Sequence, residues 1–312
     1  MRPHPVPLAH LAAPLALLLF AACGDDDNGN TNDVHLSDQD LVALNQPADF
    51  TCLDATDPAQ AFPVDTQVTG VVEDFEEGSP VEGIVVSIYA TRADLLADDP
   101  FDESGPTDSA GAYSILVPGG VSRVHWKSSN PAGQEHNFDT LELEDPVGGL
   151  PPENPSTVGK DRRIISAATV ETVPLTLGIS RVPGLGVIAG TLYDCRRRHV
   201  QNAAVRIYDG PPGDVTRTQL SVTSGQGLNT FYFYAGMPSR LQTYTDPEGQ
   251  FITANLAPGA TVFVEMWGRL QASQTPAGYD DCVEGCLVSV QEVPTLGDTI
   301  VITDLNPAYV GN

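Results

Sequence analysis

The chain is written twice, and that constrains its fold more than any other feature. Val68-Thr-Gly-Val-Val-Glu-Asp74 recurs as Val187-Ile-Ala-Gly-Thr-Leu-Tyr-Asp194, with Gly70 to Gly190 and Asp74 to Asp194 both 120 positions apart. "PVEGIVVSIYA" (Pro80–Ala90) faces "HVQNAAVRIYD" (His199–Asp209), and Val81, Val86 and Tyr89 map to Val200, Val205 and Tyr208. "TDSAGAYSILVPGG" (Thr107–Gly120) faces "TDPEGQFITANLAPGA" (Thr245–Ala260), matching Gly111 to Gly249, Tyr113 to Phe251 and, further on, Trp126 to Trp267. "VETVPLTLG" (Val170–Gly178) faces "VQEVPTLG" (Val290–Gly297). A period this long means one supersecondary plan used twice.

Within each copy the apolar residues alternate. "GIVVSIYA" and "AAVRIYD" are short β-branched runs, "AYSILVP" and "QFITANLAP" repeat the pattern, and "TVFVEMW" sets Val262, Val264 and Met266 on one face, as strands require. Asp108–Gly111 and Asp246–Gly249 read as turns whose glycine supplies positive φ. Helix is scarce; Ser37–Gln46, with an N-cap-like Ser37, is predicted as one short helix. The copies differ in two excursions. The first spends 44 positions from Trp126 to Val170 against 23 in the second, and the second spends 37 from Tyr208 to Thr245 against 18 in the first. Loops carry variation and specificity, so residues 210–242 are expected to be removable without unfolding either copy.

The spaced pattern of Val, Gly and Asp, then Val and Ile, then T-D-x-x-G-x-Tyr/Phe and Pro-Gly resembles the carboxypeptidase regulatory-like domain, of transthyretin-like (prealbumin) topology. The resemblance implies an all-β chain of two tandem Greek-key β-sandwich domains, over residues 66–180 and 187–305. It also implies a non-catalytic accessory or adhesion role, with related folds binding starch-like glycans. The family shares no catalytic residues, so none is assigned.

Leu8–Ala22 is apolar except for His10 and contains Pro14. As a helix it would rise only about 22 Å, short of a bilayer's hydrocarbon core. A basic start, an apolar run and small residues before a cut describe a secretory signal over residues 1–22. Phe20-Ala-Ala-Cys23 resembles the lipobox of bacterial lipoproteins, with Phe where that family prefers Leu. The resemblance implies lipidation of Cys23 and, with Gly24 following, the outer membrane. A plain signal peptide beside a cysteine is the alternative. Several acyl chains would make such an anchor essentially permanent. Asp25–Asp33 lacks any apolar residue and cannot order itself by burial. It does not match a calcium loop, whose position 6 would be Asn30 and position 12 Leu36. Residues 23–65 are therefore expected to be an acidic tether and lead-in.

With Cys23 set aside, Cys52, Cys195, Cys282 and Cys286 remain, an even set in an exported chain. Three pairings are open. Cys282 and Cys286 lack a second ligand pair at zinc spacing, and no metal or cofactor is expected. The net charge is −26, from 41 acids against 15 bases, which repels phosphate backbones and argues against nucleic acid. No H-E-x-x-H, G-x-S-x-G or phosphate-loop motif occurs. Gln134-Glu135-His136 reads as surface. Arg196-Arg197-Arg198 reads as a solvated turn or as a contact for acidic lipid, glycan or protein. In "NTFYFYAG" (Asn229–Gly236), alternation sets Phe231 and Phe233 on one face and Tyr232 and Tyr234 on the other. With the phenylalanines inward, the tyrosines are expected outside, as candidate ligand-binding residues able to stack on sugar rings. An extra strand with half-buried tyrosines is the alternative. The partners expected are a membrane, through the lipid, and a glycan or an envelope protein.

Overall fold

The computed structural model describes residues 42–43, 46–53, 55, 61, 64–75, 77–131, 137–146, 157–270 and 282–307. The expected signal, Cys23, the acidic stretch and His136 lie outside these residues. Val42–Ala43 (β1) pairs antiparallel with Gln46–Pro47 (β2). The helix expected up to Gln46 is therefore corrected to a strand pair at its C-terminal end, where Pro47 holds the residue before it extended.

The fold is all-β. In the first copy Thr66–Asp74 (β3) is followed by Val85–Tyr89 (β4), a short helix Arg92–Ala97 (α1), Asp102–Glu103 (β5) and Ala112–Val117 (β6). Arg123–Ser129 (β7), Asn137–Pro146 (β8), Thr157–Gly159 (β9) and Arg162–Ser166 (β10) complete it. Helix Ala167–Thr176 (α2) leads to the second copy: Gly186–Thr191 (β11), Ala204–Tyr208 (β12), Thr230–Tyr234 (β13) and Met237–Ser239 (β14). Gln250–Leu256 (β15), Thr261–Leu270 (β16), Cys282–Pro294 (β17) and Thr299–Ile302 (β18) follow. The second copy encloses its core between two sheets, and the first between two layers that β8 joins by pairing with both β7 and β10. β6–β3–β10 and β4–β7–β8 surround Val68, Ile88, Tyr113 and Trp126. β13–β15–β11–β18 and β12–β16–β17 surround Ile188, Ile207, Tyr232, Phe251 and Val264.

The repeated residues serve the same purposes in both copies. A β-carbon on Gly70 would lie 2.0 Å from the Lys160 carbonyl oxygen, and one on Gly190 would lie 1.9 Å from that of Thr303. Only glycine admits a parallel neighbour so close: Lys160 N–H donates to Thr69 O at 2.9 Å and Thr303 N–H to Ala189 O at 2.8 Å. In the T-D-x-x-G motif the buried threonine hydroxyl ties two strands. Thr107 accepts from Ile84 N–H and donates to Val81 O; Thr245 accepts from Ala203 N–H and donates to Val200 O. The aspartate caps the turn, and Gly111 and Gly249 close it at φ of 70° and 69°.

Two sequence matches are not structural ones. Trp126 pairs with Ile88, and the residue facing the equivalent Ile207 is Val264. Trp126 therefore corresponds to Val264, and Trp267 lies further along its strand, opposite Ala204. Likewise Val170–Gly178 forms most of α2 and its end, whereas Val290–Pro294 is strand, with Val293 opposite Val262. The first-copy counterpart of β17 is β8, since each pairs with the strand before it. The second copy's long excursion is not plain loop either. β13 and β14 extend the second copy's sheet, and Arg217 pairs with the wholly buried carboxylate of Glu265, which also accepts from Trp267 Nε1 at 2.8 Å.

The two copies share one sheet. β18 pairs in parallel with β11 on one side and with β8 of the first copy on the other, Thr299–Ile302 facing Asp139–Glu142. The lead-in belongs to the second copy although it precedes the first. Ala48, Phe50 and Leu53 are buried among Leu192, Val200 and Phe251, and Cys195 N–H donates to Asp49 O at 2.8 Å. Cys52 and Cys195 form a disulfide with Cα atoms 5.8 Å apart. Ala48 to Leu53 thus belong to the second copy's body.

Candidate ligand groove beneath helix α2

Ser166 accepts from Thr169 N–H at 3.1 Å and starts α2. Thr169 and Val170 press the helix onto the sheet beside Ile165 and Ile300. Pro174 removes one helical hydrogen bond, and the chain turns at Gly178, φ 62°. Beyond Val170 the helix stands off the second copy's outer sheet face and leaves a groove of about 540 Å³. Its floor is Phe231 and Phe233 from β13 with Ile252 and Ala254 from β15; Val173 and Leu177 wall one side and Met237 the other. Ile165 of β10, Thr169 and Val170 of α2, and Phe231, Phe233 and Met237 of the second copy's long excursion all line it.

The alternation in "TFYFY" holds, but the faces are reversed from the expectation. Tyr232 is 0% exposed and lies in the sandwich core. Its hydroxyl accepts from Val205 N–H at 2.8 Å, which satisfies the polar end of the ring inside, and burial pushes its phenol well above the ordinary range. Phe231 and Phe233 consequently face the groove. Tyr234, beyond the paired core, is 66% exposed. Tyr232 cannot offer a ring to a sugar from this position, so the two-tyrosine platform does not form. The signal for the groove was present in the same five residues, in the pair assigned to the interior.

The groove is electrically quiet. Arg181 pairs with Asp298 and stacks on Phe138, 4.4 Å from the ring centre. Asn255 accepts from Val182 N–H and donates to Ser180 O, at 2.9 and 3.0 Å. Arg240 reaches Gly178 at the C-terminal end of α2, where helix carbonyls favour a cation.

A second, polar cleft of about 410 Å³ lies between the copies, lined by Arg92, Arg123, Glu142, Arg197, Glu292 and Asp304 among others. Arg92 of the first copy pairs with Glu292 of the second across it. The arginine triplet is mostly spent on structure. Arg196 pairs with Asp49 of the lead-in at 2.7 Å, and Arg198 with the buried Asp194 at 2.6 Å. Arg197 stacks on Tyr193 and reaches Asn306. His125 is buried beside Arg92, and burial first, then that guanidinium, lowers its pKa to about 4. Cys286 is also disulfide-bonded; the Cys282 side chain lies outside the description. Among the described residues no group of three or more His, Cys, Asp or Glu is placed to hold a metal ion, and no helix is long and apolar enough to cross a membrane.

No family model matches the chain, and no curated protein matches it. Among solved structures it is similar to a streptococcal ancillary pilin, at 14% identity and a TM-score of 0.21, over 78% of this chain and 63% of that one. It is similar to the shaft pilin SpaA of Lactobacillus rhamnosus GG, at 13% identity and 0.21, over 78% and 98%. The Bacillus anthracis TIE protein gives 13% and 0.23, over 78% and 34%. The chain thus spans less than two thirds of the first and third of these proteins.

Proposed function

We propose that this chain is a membrane-anchored, non-catalytic envelope protein that holds a rigid two-copy β body away from the membrane for binding or scaffolding. The fastening of the lead-in carries this reading. The segment that follows the acidic stretch is bonded to the body by Cys52–Cys195 and buries Ala48, Phe50 and Leu53 in its core. A pull along the tether therefore reaches the second copy directly, through a covalent bond, and the shared sheet passes it to the first. The buried ionisable groups support a structural role: Asp194 holds Arg198 and the backbone of Asp49, and Glu265 holds Arg217 and Trp267. With Tyr232 in the core, a glycan platform is reduced to Tyr234, and an envelope protein is the partner favoured. Lipidation at Cys23 is tested by fractionation: Cys23→Ala moves the protein from membranes to the soluble fraction, and unchanged fractionation overturns the anchor. In-cell crosslinking is expected to trap a second protein; recovery of the monomer alone counts against scaffolding.

A further inference from the structure

We propose that the groove beneath α2 binds an uncharged, hydrocarbon-rich small molecule. This gives the binding part of the reading above a chemistry and rests on it only there; anchorage through Cys23 stands or falls separately. The first argument is size. About 540 Å³ lies within the range of small-molecule pockets, whereas a stable protein interface covers roughly 800 Å² on each partner. The second is the lining. Phe231, Phe233, Ile252, Val173, Leu177 and Met237 offer water few hydrogen bonds, and displacing poorly held water by an apolar group is favourable. The third is charge. Arg181, the arginine among the lining residues, is matched by Asp298, and Asn255 by backbone. Glu248 lies on an exposed turn at the border. A carboxylate or phosphate entering the groove meets no unmatched cation there, and the −26 charge of the whole chain opposes its approach. An uncharged molecule meets neither obstacle. The fourth is construction: helix α2, whose sequence match in the second copy is strand, supplies Val173 and Leu177, and β13 and β14, within the longer stretch of the second copy, supply Phe231, Phe233 and Met237.

The full chain carrying Cys23→Ser, purified without detergent, is titrated with the uncharged fluorophore N-phenyl-1-naphthylamine. We expect saturable enhancement with one site per chain, reversed by decan-1-ol, with decanoate at pH 8 weaker by about tenfold or more. Ala254→Trp fills the floor and should weaken binding by about tenfold or more, while Leu116→Trp, on the exposed face of β6, should leave it unchanged. Val173→Trp narrows the groove from the helix and decides the matter if Ala254→Trp does not fold, as judged by thermal unfolding. Absence of saturable binding, binding indifferent to a folded groove variant, or displacement by decanoate as strong as by decanol would each overturn the proposal.

Discussion

Opening the lead-in crosslink tests the architecture most directly. Cys52 and Cys195 are 143 positions apart, and the loop they close contains the whole first copy. The chain-entropy relation for a loop of that length gives about 5 kcal/mol of stabilisation through the unfolded state. Measured values commonly fall short where the denatured chain stays compact, so we expect the Cys52→Ser/Cys195→Ser variant to lose about 3–5 kcal/mol. That is a large part of the roughly 5–15 kcal/mol typical of a folded domain. Each copy carries one tryptophan, Trp126 or Trp267. Urea unfolding in Trp126→Phe and Trp267→Phe backgrounds therefore follows the copies separately. The midpoint should fall for both probes, because the closed loop spans one copy and ends on the other. Phe50→Ala alone should cost about 3–5 kcal/mol. Combined with the cysteine variant it should cost less than the sum, since both changes release the same segment. A loss below about 1 kcal/mol, or full additivity, would refute the view that the lead-in is an integral part of the body.

Four further outcomes are expected. Tyr232→Phe leaves the buried Val205 N–H without its acceptor and should lower unfolding stability by about 1–3 kcal/mol, read by urea denaturation. Gly190→Ala sets a β-carbon against the Thr303 carbonyl and should prevent the second copy from folding, read as loss of the Trp267 transition. Deleting residues 210–242 should do the same, because it strips Glu265 of Arg217 and the sheet of β13; a folded second copy after deletion would contradict this. His125 has its folded pKa lowered to about 4 from 6.5 by burial and Arg92, with Asp94 opposing. The unfolded chain therefore binds the extra proton as pH falls, and stability should decline from pH 6.5 to about 4 by roughly 2–3 kcal/mol and then level. His125→Gln should flatten that part of the profile in urea midpoints measured across the range.

Much of the fold was legible in the sequence because the repeat preserves residues with one physical use each. Gly70 and Gly190 admit a neighbouring strand, Thr107 and Thr245 tie strands together, and Gly111 and Gly249 close turns. Where the sequence misled, the matching residues had no such use. Trp126 and Trp267 are similar letters at different registers, and Val-Pro occurs once in a helix and once in a strand because only β17 has β16 to pair with. The lead-in was illegible for another reason: "ADFTCL" has no periodicity, and its partners lie across a whole copy. The groove was half legible. Alternation correctly divided Phe231 and Phe233 from Tyr232 and Tyr234, but it does not say which face is interior, and a tyrosine can enter the core where its hydroxyl finds a partner such as Val205 N–H.

The position of the lead-in also bears on how the chain acquires its covalent bond. On the proposed export from the N-terminus, Cys52 emerges after Cys23, and the next thiol to follow it is Cys195, its partner in the folded body. Cys282 and Cys286 follow later. Pairing in order of appearance is therefore native pairing at the first bond, with no wrong partner to exchange except Cys23, which an acyl chain would already occupy. On that proposed route, the order of delivery alone would close the clasp on its native partner.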